Sequence, residues 1–310
     1  MPLSQIRKAL ENYLPGEFER RVAIRQYLEH ACETFVASEL ADPKFLIELC
    51  SSEEQKFWAS ISEALVYQLL AGKSFGDRKN PGHGPDFLIL NGSQRIWIEV
   101  TCPEPIDLPD NWKEVVWGEA SSVPHDLVLL RWTSAINAKA NALIGDLDRK
   151  KNGYLQAGIV GPNDAYVIAV NACRLRHGPF PGITGISQFP YAAEATIPIG
   201  PYALQIDSKS LQVVDRGHQY RPFLLNKNNS EVSTKLFFNP QYNGISAIWA
   251  LDLNGTSVIG NHEPIVVVHN PNASNPLPLG FLPSQNEHTV VIGENGFSIT
   301  TQPGTSPPAA

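Results

Sequence analysis

The chain has 310 residues, with 43% hydrophobic and 18% charged side chains and a formal net charge of −7. That is room for one large globular domain or two small ones, and it excludes coating of nucleic acid or anionic membrane through bulk charge. Cys32, Cys50, Cys102 and Cys173 are scattered, which fits a reduced cytoplasmic chain better than a disulfide framework or a zinc site; no signal-peptide core and no membrane-length apolar run is present.

Residues 3–14 and 17–40 read as helices separated by Pro15-Gly16, and Pro43 opens a short helix through Cys50. These make an N-terminal helical segment, 1–52. Residues 53–71 are the clearest helix: Ser52 and Gln55 suit a capping box, and Phe57, Ile61, Ala64, Leu65 and Leu69 recur at helical spacing. Glu63 falls among Val66, Tyr67 and Leu70 on its second apolar side, either solvated or paired with Lys56, or as an acid facing residues 84–101. The loop 72–84 (GKSFGDRKNPGHG) offers Lys73, Arg78 and Lys79 to phosphate, or is simply a solvated polar loop.

Residues 84–101 (GPDFLILNGSQRIWIEVT) read as a hairpin turning at Asn91-Gly92. Leu90 then opposes Ser93 and Asp86 opposes Trp97, so Asp86 and Glu99 are diagonal neighbours on one face, roughly 7–8 Å apart at the backbone. A loop one residue longer would put them on opposite faces. Two carboxylates among apolar residues are costly to bury unpaired, and a divalent cation is a natural partner.

Cys102–Pro124 is irregular, with Trp112 and Trp117 available to stack on bases or to pin the loop. The run Asp126–Arg131 reads as a central strand, and Thr133 or Ser134 then caps a helix to about Arg149 with Ile136, Ala140, Leu143, Ile144 and Leu147 inward. Ala165–Val170 is a buried strand. Beyond residue 172 helical periodicity fades, and short strands are expected at 195–199, 202–207, 211–215, 234–238, 245–252 and 264–269, with a final pair near 289–300. This β-rich region, 175–301, is either separate or an extension of the same sheet, and 302–310 reads as a disordered tail.

Glu63 on a helix, the Pro85-Asp86 step and Glu99-Val100-Thr101 together resemble the PD-(D/E)XK nuclease superfamily, with its restriction-endonuclease-like fold, over roughly residues 55–171. The resemblance implies an α/β core, 53–174, of a mixed sheet flanked by helices. It implies Mg²⁺ or Mn²⁺ held by Asp86, Glu99, the Val100 carbonyl and Glu63, and nucleic acid as the substrate. Thr101 stands where the superfamily has lysine. In such members a neighbouring helix can supply the cation, and Lys139 is the candidate here, with Arg131 and Thr133 near the same end; His83 is a possible accessory. The expected function is metal-dependent phosphodiester hydrolysis of DNA or RNA. The alternative is an inactive nuclease-fold protein that binds nucleic acid or a protein partner. No Walker loop, dinucleotide fingerprint or nucleophile elbow occurs, and His262 and His269 lack a third zinc ligand. A glycosidase pair of carboxylates fits a small α/β core less well.

Overall fold

The computed structural model describes residues 2–78, 82–114, 116, 118, 122–145, 151–178, 180–294 and 296–306. The helices α1 (Pro2–Tyr13), α2 (Glu19–Ala37), α3 (Phe45–Leu49) and α4 (Glu54–Leu69) come first. The strands β1 (Ser74–Phe75), β2 (Phe87–Asn91) and β3 (Gln94–Thr101) follow, then the short α5 (Asp110–Lys113), the long α6 (His125–Ile144) and β4 (Ala165–Asn171). After α7 (Tyr191–Glu194) come β5 (Ile199–Ile206), β6 (Val213–Tyr220), β7 (Phe223–Leu225), β8 (Glu231–Ser233), β9 (Ala247–Leu251), β10 (Ile265–His269), β11 (Asn286–Gly293) and β12 (Gly296–Pro303).

Eight strands form one mixed sheet in the order β1-β2-β3-β4-β9-β10-β11-β12. The sheet therefore crosses residue 175: β9 pairs parallel with β4, and β10 to β12 continue outward. The sheet divides two cores by alternation of side chains. On one face Phe87, Ile89, Ile98, Val167 and Trp249 pack with α1 to α4. On the other Leu88, Trp97, Tyr166, Ile168 and Ile248 pack with α6 and α7. Both faces of β4, β9 and β10 are buried, which is why those strands read as continuous apolar runs.

Several expectations need correction. Residues 126–131 are helical, not a strand, and α6 begins at His125. A short apolar run fits either element; here Val128, Leu129, Trp132, Ile136, Ala140 and Leu143 continue it at helical spacing, all buried. Thr133 lies inside the helix, donating to the Leu129 carbonyl at 2.8 Å, and caps nothing. α6 ends at Ile144 with Gly145 as its C-cap, short of the expected Arg149; Leu147 and Arg149 lie outside the described residues. No capping box forms at α4: Glu53 is its N-cap without a side-chain bond, and Gln55 instead donates to the Cys102 carbonyl.

Residues 234–238 hold a 3₁₀ turn, Leu236–Phe238, rather than a strand, burying the consecutive Leu236 and Phe237. Residues 195–199 follow α7, whose turn Thr196 closes by donating to the Ala192 carbonyl at 2.7 Å. Residues 302–306 are not a loose tail: β12 runs to Pro303, and Ser284 N–H donates to the Thr305 carbonyl at 2.7 Å. Residues 307–310 lie outside the described residues.

One buried side chain fixes α4 against the sheet. Asn171, fully buried at the end of β4, donates to Ser62 Oγ of α4 at 2.8 Å and to the Leu253 carbonyl at 2.9 Å, while its Oδ1 accepts from Leu253 N–H at 2.8 Å. Asn171→Ala strands the Leu253 N–H and carbonyl, while Ser62 Oγ keeps its bond to the Trp58 carbonyl, so it is expected to cost about 2–4 kcal/mol in urea unfolding with an unchanged m-value. A loss within the scatter of surface substitutions would contradict this role.

Candidate functional site

The β2–β3 hairpin turns at Gly92-Ser93, not Asn91-Gly92: Asn91 pairs with Gln94 and Phe87 with Ile98. Gly92 has φ +59° and Asn91 is not left-handed, as a turn with glycine at its first central position requires. This register matches buried Ile89 with buried Ile96, whereas the expected one would have set Ile89 against Gln94. Shifting by a whole two-residue step leaves the faces unchanged. Continued one step past Phe87, it sets Asp86 directly opposite Glu99 instead of diagonal to it.

Asp86 and Glu99 thus share the face covered by α6. Glu99 is buried at 4% exposure. Its Oε1 accepts from Lys139 Nζ at 2.7 Å and lies 3.5 Å from the Tyr154 hydroxyl. Its Oε2 is buried without a hydrogen-bond partner among the described residues. Asp86 is half-buried, and its Oδ2 accepts from Val100 N–H at 2.6 Å. Lys139 therefore reaches the carboxylates from α6, near the C-terminal part of that helix rather than one turn in. Its backbone is held in turn by β4, where the Tyr166 hydroxyl donates to the Lys139 carbonyl at 3.2 Å.

Glu63 approaches from the other side, on α4. Lys56 is bonded to Glu53, so the pairing considered for Glu63 is not made. Electrostatically Glu63 belongs with Asp86 and Lys139. Among the described residues, no three acidic, histidine or cysteine side chains close up into a ready-made metal cage. The convergent set is two carboxylates and an ammonium, with Glu63 as a neighbour.

Burial raises all three acids. It pushes Glu99 up to about 7 against the lowering pull of Lys139. It raises Asp86 against the pull of Lys139 and the Val100 N–H. It lifts Glu63 well above the carboxylate range, and Asp86 adds to the effect. Burial alone would lower Lys139, but Glu99 and Asp86 outweigh it, so the lysine stays charged. Burial and Glu99 likewise raise the Tyr154 hydroxyl, which keeps its proton.

The remaining candidates fall elsewhere. Arg131 donates to the Glu104 carbonyl at 2.8 Å and Thr133 is spent inside α6, so neither faces the carboxylates. Lys73 donates to the Phe281 carbonyl at 2.7 Å and sits over that ring; Arg78 donates to the Leu40 carbonyl. Lys79 and Trp117 lie outside the described residues. Trp112 pins its loop, stacked on His177 with ring centroids 4.5 Å apart. His269 pairs with Glu287 at 3.1 Å. His83 is exposed in the loop before Asp86. Tyr154 and Tyr166 were not foreseen. Tyr166 carried one signal, a lone polar tip in an otherwise aliphatic strand; Tyr154 carried none.

The Glu99 shift has a testable sign. An unfolded glutamate titrates near 4.5 and the native one near 7, so between those values the native state keeps a proton that the unfolded state has lost. The stability this supplies is full below about pH 4.5 and is lost as pH rises through 7. His288, pulled down to about 4 by burial, acts in the opposite direction, so the readout is a difference between two proteins. In chelator, Glu99→Gln is expected to gain on wild type by up to about 2 kcal/mol in urea unfolding between pH 5 and 7. Parallel pH profiles for the two proteins would contradict the shift.

No family model, curated protein or solved structure matches this chain.

Proposed function

We propose that the chain is a Mg²⁺- or Mn²⁺-dependent nuclease with a restriction-endonuclease-like core, hydrolysing phosphodiester bonds at Asp86 and Glu99. The observation that carries this reading is the Glu99 carboxylate, with one oxygen on Lys139 and the other buried and unpartnered. A buried, unsatisfied carboxylate oxygen is expensive, and a hard cation is the partner its chemistry favours. The free Oδ of Asp86, Glu99 Oε2 and the Val100 carbonyl would hold it, with Glu63 beside them. The order α4-β1-β2-β3-α5-α6-β4, with α4 among the helices on one face of the hairpin and α6 on the other, supports the same reading.

A bound Mg²⁺ or Mn²⁺ would neutralise phosphate charge and make water a better nucleophile. The protein groups have separate work. In the net reaction a water oxygen bonds to phosphorus, the P–O bond to the leaving sugar oxygen breaks, and the departing oxygen takes a proton. Lys139 keeps its proton, so it cannot act as the base; it holds Glu99 in place and sets a positive charge beside the developing phosphorane. The Tyr154 hydroxyl stays protonated and likewise cannot act as the base. Burial of Glu99 keeps bulk water from screening these charges.

Calorimetry with Mn²⁺ followed by incubation with labelled single- and double-stranded DNA and RNA tests the reading. Wild type is expected to bind Mn²⁺ and cleave a nucleic-acid strand, and Asp86→Ala to lose both. Lys139→Met, which frees Glu99 Oε1, is expected to bind Mn²⁺ at least as well as wild type and to cleave roughly 100-fold or more slowly. Metal binding with no cleavage of any substrate would favour the inactive nucleic-acid-binding alternative, to which the Thr101 substitution also points. Cleavage that survives Glu99→Ala would refute the site.

A further inference from the structure

The hairpin face that carries Asp86 and Glu99 continues away from them as a cavity of about 470 Å³. Its floor follows the strand alternation: Leu88 and Trp97 come one step from the carboxylates, then Leu90 and Arg95, which pair directly across the hairpin. Ile159 forms the facing wall, five residues after Tyr154 on the same segment. Arg78 and His83 close the end beside Pro85. The lining holds Arg78, His83 and Arg95 against one acid, Asp77, in a chain whose net charge is −7.

These walls are built for a ligand that is flat, apolar on its faces and anionic at one end. Leu90 and Ile159 present aliphatic surface. Arg95 is half-exposed, lies over the Trp97 ring at 5.3 Å, and is within 3.6 Å of Asp164, which steadies it without burying it. The Trp97 indole is itself fixed by donating to Asp164 Oδ2 at 2.8 Å. The volume suits one nucleotide-sized ligand and not a base pair. A base can enter such a pocket only after leaving its stack, which costs least in a single strand or at an unpaired end.

We propose that this cavity seats one unstacked nucleotide next to the scissile phosphate, making the substrate a single strand or a duplex with an unpaired end. The proposal rests on the nuclease reading of Asp86 and Glu99 for the word "scissile", but binding in the cavity needs no metal. Leu90 and Ile159 clasp the base, and Arg95, beside Leu90, meets the phosphate at the end of the cavity away from the carboxylates.

The test is fluorescence anisotropy in EDTA with labelled, phosphorothioate-protected 12-mers, as single-stranded DNA, single-stranded RNA and a blunt DNA duplex. Wild type is expected to bind at least one single strand tenfold or more tightly than the duplex. Leu90→Trp, which fills the cavity from a partly exposed position, and Arg95→Glu are each expected to weaken single-strand binding about tenfold or more. Their Mn²⁺ binding by calorimetry and their thermal unfolding should match wild type. Leu204→Trp, the same change on the exposed β5–β6 hairpin, should leave binding unaltered. Equal affinity for strand and duplex, or full single-strand affinity in both cavity variants, overturns the proposal. Either result with Mn²⁺ binding intact leaves the carboxylate site standing. Absence of Mn²⁺ binding in wild type, with the cavity variants still impaired in EDTA, would remove the nuclease reading and leave a strand-binding pocket.

Discussion

The burial of Glu99 is the constraint on which the arrangement around it depends. It sits near the end of β3 between β2 and β4, under α6, where solvent does not reach it. Water cannot stabilise the anion there, so the protein must. Lys139 satisfies one oxygen from across the face, and the raised affinity of Glu99 for its own proton measures how incompletely the demand is met. The second oxygen remains available, as do Glu194 Oε2 and Asp252 Oδ1 elsewhere in the protein; what separates Glu99 from these is the second carboxylate, Asp86, that the hairpin register sets opposite it.

The sheet explains why the acids meet. Asp86 and Glu99 lie on adjacent antiparallel strands, so only the parity of the hairpin decides whether they share a face. Parity was legible from residues 84–101 only through the two-residue loop that an Asn-Gly turn favours, since Phe87–Leu90 and Ile96–Ile98 are continuously apolar and do not alternate. The register was not, since Asn91-Gly92 and Gly92-Ser93 are both acceptable two-residue loops. Pairing of Ile89 with Ile96 and Phe87 with Ile98 settles it, and that is a property of the buried face, not of the turn. The helix at 125–144 was misread at its start for a related reason: a run of four apolar residues, 127–130, carries no period of its own. Its later part did place Lys139 opposite the hairpin. In the C-terminal half, strands buried on both faces, such as 247–251 and 265–269, were legible as apolar runs. That β9 lies beside β4 was not, because strand order is set by long-range packing. The exposed β5–β6 hairpin shows the converse: its polar and apolar residues follow no single buried face, so its outline was seen only as fragments.

Taking the cation from a helix instead of from position 101 alters how the site is held. A lysine at 101 would lie two residues from Glu99 on the same strand face and move rigidly with it. Lys139 belongs to another layer, and its distance to Glu99 depends on how α6 rides on the sheet. That ride is fixed twice: Ile136, Ala140 and Leu143 are buried beneath the helix, and the Tyr166 hydroxyl on β4 holds the Lys139 carbonyl. The acid on β3 is therefore met by a lysine whose own backbone is tied to β4, the strand paired in parallel with β3. The crossover β3-α6-β4 becomes a closed mechanical loop around the carboxylates. Precision that a single strand would have given by covalent proximity is recovered through packing and one tyrosine hydrogen bond. It follows that Tyr166, which touches neither Asp86 nor Glu99, controls where the Lys139 charge stands.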